Sequence, residues 1–142
     1  MKGDHTLKLE FTIERGDFAK AGDASRKIKK VLQSIGLQPG LIRKISIATY
    51  EAEMNLVIHS LGGRILVSVE KNNIIIKIED RGPGIENLKL AMTEGYSTAS
   101  NEIREMGFGA GMGLPNIKKC SDNMDIDSSL GSGTKIILSF NF

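Results

Sequence analysis

"GFGAGMGLPN", residues 107 to 116, places a glycine at every second position and then a proline. The glycines are Gly107, Gly109, Gly111 and Gly113, and Pro115 suits the first turn of a helix because its missing N–H would be unpaired there anyway. A glycine-rich loop that leads directly into a helix directs free backbone N–H groups and the positive end of the helix dipole toward one place. The stretch therefore predicts a phosphate-binding site, with a plain surface loop as the alternative.

The spacing of these glycines separates the loop from two common phosphate-binding motifs. The chain contains no G-x-x-x-x-G-K-[ST], which excludes a P-loop. Its G-x-G-x-G-x-G also differs from the G-x-G-x-x-G of dinucleotide-binding and protein-kinase loops, and neither H-R-D nor D-F-G accompanies it.

Two further glycine clusters lie on either side of this loop. "EDRGPGI", residues 79 to 85, ends a strand with Asp80 and then turns at Gly82 and Gly84. An aspartate at a strand end can accept a hydrogen bond from an exocyclic amine such as the adenine N6, and glycines leave room for a flat base. "LGSGT", residues 130 to 134, ends in Thr134 and, taken alone, is typical of a hairpin turn.

The central helix carries a polar stripe. Glu51, Asn55 and His59 are spaced i, i+4 and i+8, so they share one side of a helix. Asn55 can offer an oxygen to Mg²⁺, and Glu51 can accept a proton from an attacking hydroxyl. The alternative is a solvated polar stripe, and His59 is expected to be a packing residue rather than a base. The adjacent apolar stripe, expected to pack on the sheet, consists of Leu41, Ile45, Ala48 and Ala52.

Hydrophobic periodicity predicts a single α+β domain over residues 1–142. We expect helices over residues 18–36, 39–63 and 114–121, and strands over residues 7–14, 64–70, 74–80, 124–129 and 134–142. Lys71, Asn72 and Asn73 predict a tight hairpin turn, because asparagine tolerates a positive φ. The elements give a two-layer sandwich, with the helices on one face of a mixed, largely antiparallel sheet.

Composition narrows the class of protein. A net charge of +2 on 142 residues does not favour nucleic-acid binding. The single cysteine leaves no intrachain disulfide and fits a reducing compartment. The N-terminal residues lack the apolar core of a signal peptide, and no stretch approaches the length of a membrane span. We therefore expect a cytoplasmic protein that does not contact membranes.

The four motifs occur in one order, which resembles the GHKL ATPases, the superfamily of gyrase, Hsp90, histidine kinases and MutL. The order is E-x-x-x-N on a helix, D-x-G-x-G after a hairpin strand, G-x-G-x-G before a helix and G-x-G-T before the last strand. The resemblance extends from about Leu7 to Phe140. "EAEMNLVIH", residues 51 to 59, looks like the anti-sigma-factor serine/threonine kinases of bacteria, and the glycine motifs look closest to the switch-kinase branch that phosphorylates STAS-domain proteins.

This resemblance implies a Bergerat fold that binds ATP and Mg²⁺ beneath a lid. It implies Glu51 as the catalytic base, Asn55 on Mg²⁺ and Asp80 on adenine, supported by Thr134. It further implies that the glycine loop contacts the phosphates and that Ser97 and Thr98 belong to the lid. The other glycines assigned to the nucleotide are Gly82 and Gly84. Where anti-sigma kinases often carry an arginine beside this loop, the chain reads Gly109-Ala110.

The expected activity is ATP-dependent phosphorylation of a serine or threonine on a small STAS-domain partner. One alternative is an ATP-binding module that sequesters a sigma factor or activates a partner phosphatase. Another is a slow ATPase that acts alone. The sequence leaves a homodimer open.

Overall fold

A computed structural model describes residues 7–58, 62–81, 113–129 and 133–142. Its five strands form one sheet in the order β1-β2-β3-β5-β4, and each neighbouring pair is antiparallel. The α+β sandwich expected from the sequence is confirmed, and the described part of the sheet contains only antiparallel pairs. The strands are β1 (Leu7–Ile13), β2 (Gly63–Val69), β3 (Asn73–Asp80), β4 (Asn123–Ser129) and β5 (Gly133–Asn141).

The helices are α1 (Asp23–Ser34), α2 (Pro39–Ile58) and α3 (Gly113–Cys120). Both α1 and α3 pack against α2, which lies between them. Side chains alternate along the central strands, so that Ile65, Ile76 and Leu138 are buried beneath the helices while Arg64 and Lys77 are exposed on the outer face. The helices contribute Ile28, Leu32, Ile45, Ala48, Ala52 and Ile117 to the same hydrophobic core. The predicted stripe of α2 therefore packs inward, with Leu41 partly buried at its margin.

The first helix begins later than the sequence predicted. Phe18–Lys20 forms a separate 3₁₀ turn, and α1 starts only at Asp23 because Gly22 between them has a φ of +93°. A helical chain cannot continue through that left-handed conformation, which glycine adopts at little steric cost. Gly36, predicted as the helix stop, has a φ of +80°.

The hairpin between β2 and β3 is confirmed, but the expected reason for its turn is wrong. In this turn the Glu70 N–H donates a hydrogen bond to the Asn73 carbonyl oxygen at 2.8 Å. Among the described residues only glycines have a positive φ, so Asn72 and Asn73 do not use the left-handed region. No helix in the described part of the chain is long and apolar enough to cross a membrane.

Candidate active site

Asp80 ends β3 on the face of the sheet that the helices cover. It continues the inward row of Ile76 and Ile78, and it is itself only partly buried. The register places Thr134 of β5 directly opposite Asp80, so the two side chains lie on the same face. Thr134 is 6% exposed. The structure thus brings together the two residues that the motifs assigned to the adenine.

Gly63 faces Asp80 from the other neighbouring strand, and the sequence had assigned it to the end of the second helix. It belongs instead to β2, where it pairs with Asp80. A Cβ at Gly63 would overlap the Glu79 carbonyl group and lie 3.1 Å from the Asp80 Cα. At Gly62, where φ is +93°, a Cβ would lie 2.6 Å from the Ile13 carbonyl oxygen. Gly63 therefore lets β2 approach β3 closely beside Asp80, and Gly62 lets the chain approach β1 closely at Ile13. The signal for this in the sequence was the position of both glycines directly before a β-type pattern.

Glu51 and Asn55 lie one turn apart in the second half of α2, and both are partly buried. Burial raises the pKa of the Glu51 carboxyl, because a low-polarity surrounding disfavours the charged form. Lys44, at i−7 from Glu51, lies on the same side of α2.

This polar stripe faces α3. Burial raises the pKa of the Cys120 thiol at the end of α3, while nearby Lys44 lowers that pKa and Glu51 raises it further. Helices α2 and α3 pack against each other, and Lys44 and Glu51 of α2 lie close enough to Cys120 of α3 to act on its charge. A half-buried carboxyl that is easier to protonate than usual, one turn from an amide oxygen, suits proton transfer better than a solvated stripe does.

Helix α3 begins at Gly113, the last glycine of the quoted loop, as the sequence predicted to within one residue. Pro115 lies buried in its first turn, and Leu114 and Ile117 anchor the helix in the core. The proline therefore stands where its missing N–H is not needed. The N-terminus of α3 is fixed to the body of the protein by these contacts.

The structure also contains a buried glutamate whose role the sequence did not predict. Glu53 is 2% exposed, and its carboxylate accepts three backbone N–H bonds from the start of α1. Gly22 N and Ala24 N donate to Oε2 at 3.0 and 3.2 Å, and Ser25 N donates to Oε1 at 3.1 Å. The carboxylate thus caps α1 from a neighbouring helix, where a negative charge also complements the helix dipole. The sequence gives one indication of this role: Glu53 is an acidic residue at a position where the helical periodicity of α2 predicts a buried side chain.

The remaining predicted site residues lie outside the described residues. They are His59, Gly82, Gly84, Ser97, Thr98, Gly107, Gly109 and Gly111.

Comparison with known proteins matches residues 40–142 to the family described as "Histidine kinase-, DNA gyrase B-, and HSP90-like ATPase". The chain belongs to this ATPase family. The match covers α2, α3 and the four strands from β2 to β5, which include Glu51, Asn55, Asp80 and Thr134. The superfamily expected from the order of the four motifs is confirmed.

Two curated proteins similar to this chain carry names from the branch that the motifs resemble. The serine/threonine-protein kinase RsbT of Bacillus subtilis (strain 168) is 29% identical over 120 residues, which cover 80% of this chain and 83% of that protein. An anti-sigma F factor of Clostridium acetobutylicum is 32% identical over 106 residues, which cover 71% of each chain.

Solved structures show the same ATPase fold. The RsbU and RsbW domains of Rv1364c from Mycobacterium tuberculosis superpose with a TM-score of 0.65 at 18% identity. That match covers 95% of this chain and 32% of the larger one. The mycobacterial sensor histidine kinase MprB superposes with a TM-score of 0.54 at 16% identity and covers 95% of this chain.

Proposed function

We propose that this chain is an ATP-dependent serine/threonine protein kinase that phosphorylates a small STAS-domain partner in the cytoplasm. The relatives named as a serine/threonine kinase and as an anti-sigma factor support this activity over that of a slow ATPase acting alone. The observation that carries the proposal is the environment of Glu51. It is a half-buried carboxyl with a raised pKa, one turn before Asn55 on the side of α2 that packs against α3.

The nucleotide then lies between the C-terminal end of β3, at Asp80, and the contact of α2 with α3. Asp80 accepts a hydrogen bond from the adenine amine, and Thr134 supports the base from the opposite strand. The backbone N–H groups of the glycine loop at 107–113 and the N-terminus of α3 hold the phosphates. Gly82 and Gly84 leave room for the base, and Ser97 and Thr98 are assigned to the lid.

The residues present fit a magnesium ion held mainly by phosphate oxygens. Asn55 offers a neutral amide oxygen from a partly buried position, and Mg²⁺ usually takes few protein ligands and several from water and phosphate. When bound, Mg²⁺ neutralises charge on the transferring phosphoryl group.

Glu51 supplies the proton chemistry. Its carboxylate accepts the proton of the partner's hydroxyl while that oxygen bonds to the γ-phosphorus and ADP departs. A carboxyl with a raised pKa is a stronger base than an ordinary glutamate, and it is still ionised when the pH lies above that pKa.

Transfer of label from γ-labelled ATP to a STAS-domain protein encoded near this chain's gene tests the proposal. We expect label on a serine or threonine of the partner, dependent on Mg²⁺ and on this chain. A partner that forms a stable complex with the ATP-bound chain but gains no phosphate would contradict kinase activity.

The alternative is an ATP-binding module that sequesters a sigma factor, and one observation favours it: the Clostridium relative is named an anti-sigma F factor. In that case the affinity for a sigma factor should depend on whether ATP or ADP is bound. Measuring complex formation with each nucleotide separates the two functions, since a kinase acting only on a STAS-domain partner needs no affinity for the sigma factor.

A further inference from the structure

The positive charge of this chain is concentrated on one helical hairpin. Residues 23–50, which form α1, its connection and most of α2, contain six basic residues and one acidic residue. The rest of the chain contains thirteen basic and sixteen acidic residues. This segment therefore carries a formal charge of +5 against −3 for the remainder; with Glu51 and Glu53, near the end of α2, the whole hairpin carries +3 and the chain +2.

Part of this charge surrounds exposed apolar side chains on the outside of the hairpin. Arg43, Ile47 and Tyr50 follow one another at i, i+4 and i+7 along the outer side of α2. Ile47 and Tyr50 are each 40% exposed, and they are two of the five large hydrophobic side chains exposed in the described part of the chain. We call the surface formed by Arg26, Lys29, Arg43, Ile47 and Tyr50 the basic–apolar face.

Helix α1 contributes the two remaining residues of this face. A Cβ built at Gly22 would lie 3.0 Å from the Arg26 Nη1 and 3.6 Å from the Tyr50 Cε1, so the guanidinium and the ring border the same gap between the helices. Lys29 is exposed one turn further along α1. Arg26 forms an ion pair with Asp23, whereas Lys29 and Arg43 have no ion pair among the described residues.

The basic–apolar face adjoins the candidate active site, because Ile47 lies one turn before Glu51 on α2. Glu51 and Asn55 lie on the side of α2 that packs against α3, whereas the neighbouring Glu53 points toward α1. Tyr50 lies further round the helix, where its ring borders Gly22 at the start of α1.

We propose that the basic–apolar face docks an acidic segment of a partner protein that inserts an apolar side chain beside Ile47 and Tyr50. An exposed isoleucine one turn from Arg43 and an exposed tyrosine beside Arg26 match the usual anatomy of a protein interface, in which an apolar centre is bordered by charges. Charge complementarity selects an acidic occupant and speeds its approach. A branched aliphatic residue at the centre favours a protein over nucleic acid, which prefers cationic and aromatic contacts. The inference holds whether or not the chain transfers phosphate.

A labelled model peptide tests this surface. The probe is a helical peptide of glutamate with leucine at every third or fourth position, and its control has serine in place of each leucine. Fluorescence anisotropy with the whole protein should show tighter binding of the leucine peptide. Amide NMR shifts should cluster around Arg26, Lys29, Ile47 and Tyr50. Equal binding of the two peptides, or no binding of either at low salt, would overturn the inference.

Matched variants locate the binding. Tyr50→Ser should weaken the leucine peptide about tenfold or more, as expected for truncation of a central aromatic contact. Arg43→Glu should weaken it at least about threefold at low salt, with a smaller effect at high salt. Lys77→Glu makes the same charge change on the exposed outer face of the sheet and should leave affinity within about twofold. Equal losses in Arg43→Glu and Lys77→Glu, or tighter binding of single-stranded DNA than of the leucine peptide, would contradict a protein-docking face.

Discussion

Partial burial in the fold disfavours the ionised form of the Glu51 carboxyl, and this should affect the free energy of unfolding. Because its pKa is raised in the folded protein, the ionised form is penalised there relative to the unfolded chain, whose pKa is 4.5. The wild type therefore loses stability as the pH rises through the raised pKa. Glu51→Gln removes the titrating group and should raise the free energy of unfolding at pH 7.

Urea unfolding at several pH values checks this prediction. The gain should disappear below about pH 4.5, where the glutamate is protonated in both states. Glu14→Gln, an exposed control, should show no comparable gain. A Glu51→Gln protein that is less stable than the wild type at neutral pH would show that the carboxylate is stabilised, not penalised, where it lies.

Asp80 supports a second prediction at the scale of one residue. Asp80→Asn keeps the size of the side chain but replaces a charged acceptor by a neutral amide, so we expect ATP affinity to fall about ten- to hundredfold. This corresponds to about 1.5–3 kcal/mol for a hydrogen bond to a charged group. Calorimetry with Asp125→Asn, an exposed aspartate on β4, provides the control. Undiminished affinity in Asp80→Asn would remove this residue from the adenine site.

At the scale of elements, Glu53 joins two helices. Its carboxylate satisfies three backbone N–H groups at the start of α1, so Glu53→Ala would leave them buried without partners. We expect the free energy of unfolding to fall by about 3 kcal/mol or more. Glu53→Gln should lose less, because its remaining carbonyl oxygen still accepts.

Hydrogen exchange distinguishes this capping role from general loss of core packing. In Glu53→Gln the amides of residues 22–25 should exchange faster than they do in the wild type. The amides of β3, which lies elsewhere in the core, should exchange at the wild-type rate. Uniformly faster exchange in both places would contradict a local clamp.

Glu53 also shows why elements were easier to predict than their ends. Periodicity gave the inward residues of α1, since Ile28 and Leu32 repeat at helical spacing. It could not give the start of that helix, because a glycine φ and a cap from a distant residue decide it. Local capping rules search only neighbouring positions, and Glu53 lies 28 to 31 residues from its donors.

The role of the two glycines at the start of β2 also depends on residues that are distant in the sequence. The helix predicted over residues 39–63 ends at Gly62 and Gly63, since glycine often ends a helix. Their function in the structure depends on the Glu79 and Ile13 carbonyls, which lie on other strands. Only the strand register reveals how closely these backbones approach each other.

At the scale of the whole molecule, the order of motifs was the strongest predictor. Each motif alone is weak, but together they gave the family and the α+β sandwich, and the strand register places Asp80 opposite Thr134. The docking face was not predicted, because a net charge of +2 conceals the separation of charge between the hairpin and the body. Composition averages over surfaces that the fold keeps apart.

Single-turnover transfer of label from γ-labelled ATP to the STAS-domain partner tests most directly whether this chain transfers phosphate with Glu51 as the base. Glu51→Gln should bind ATP nearly as the wild type does, yet transfer phosphate about 10²–10⁴-fold more slowly. Asn55→Ala should lose both ATP affinity and transfer, because it removes a ligand of Mg²⁺. Wild-type transfer by Glu51→Gln would contradict the account.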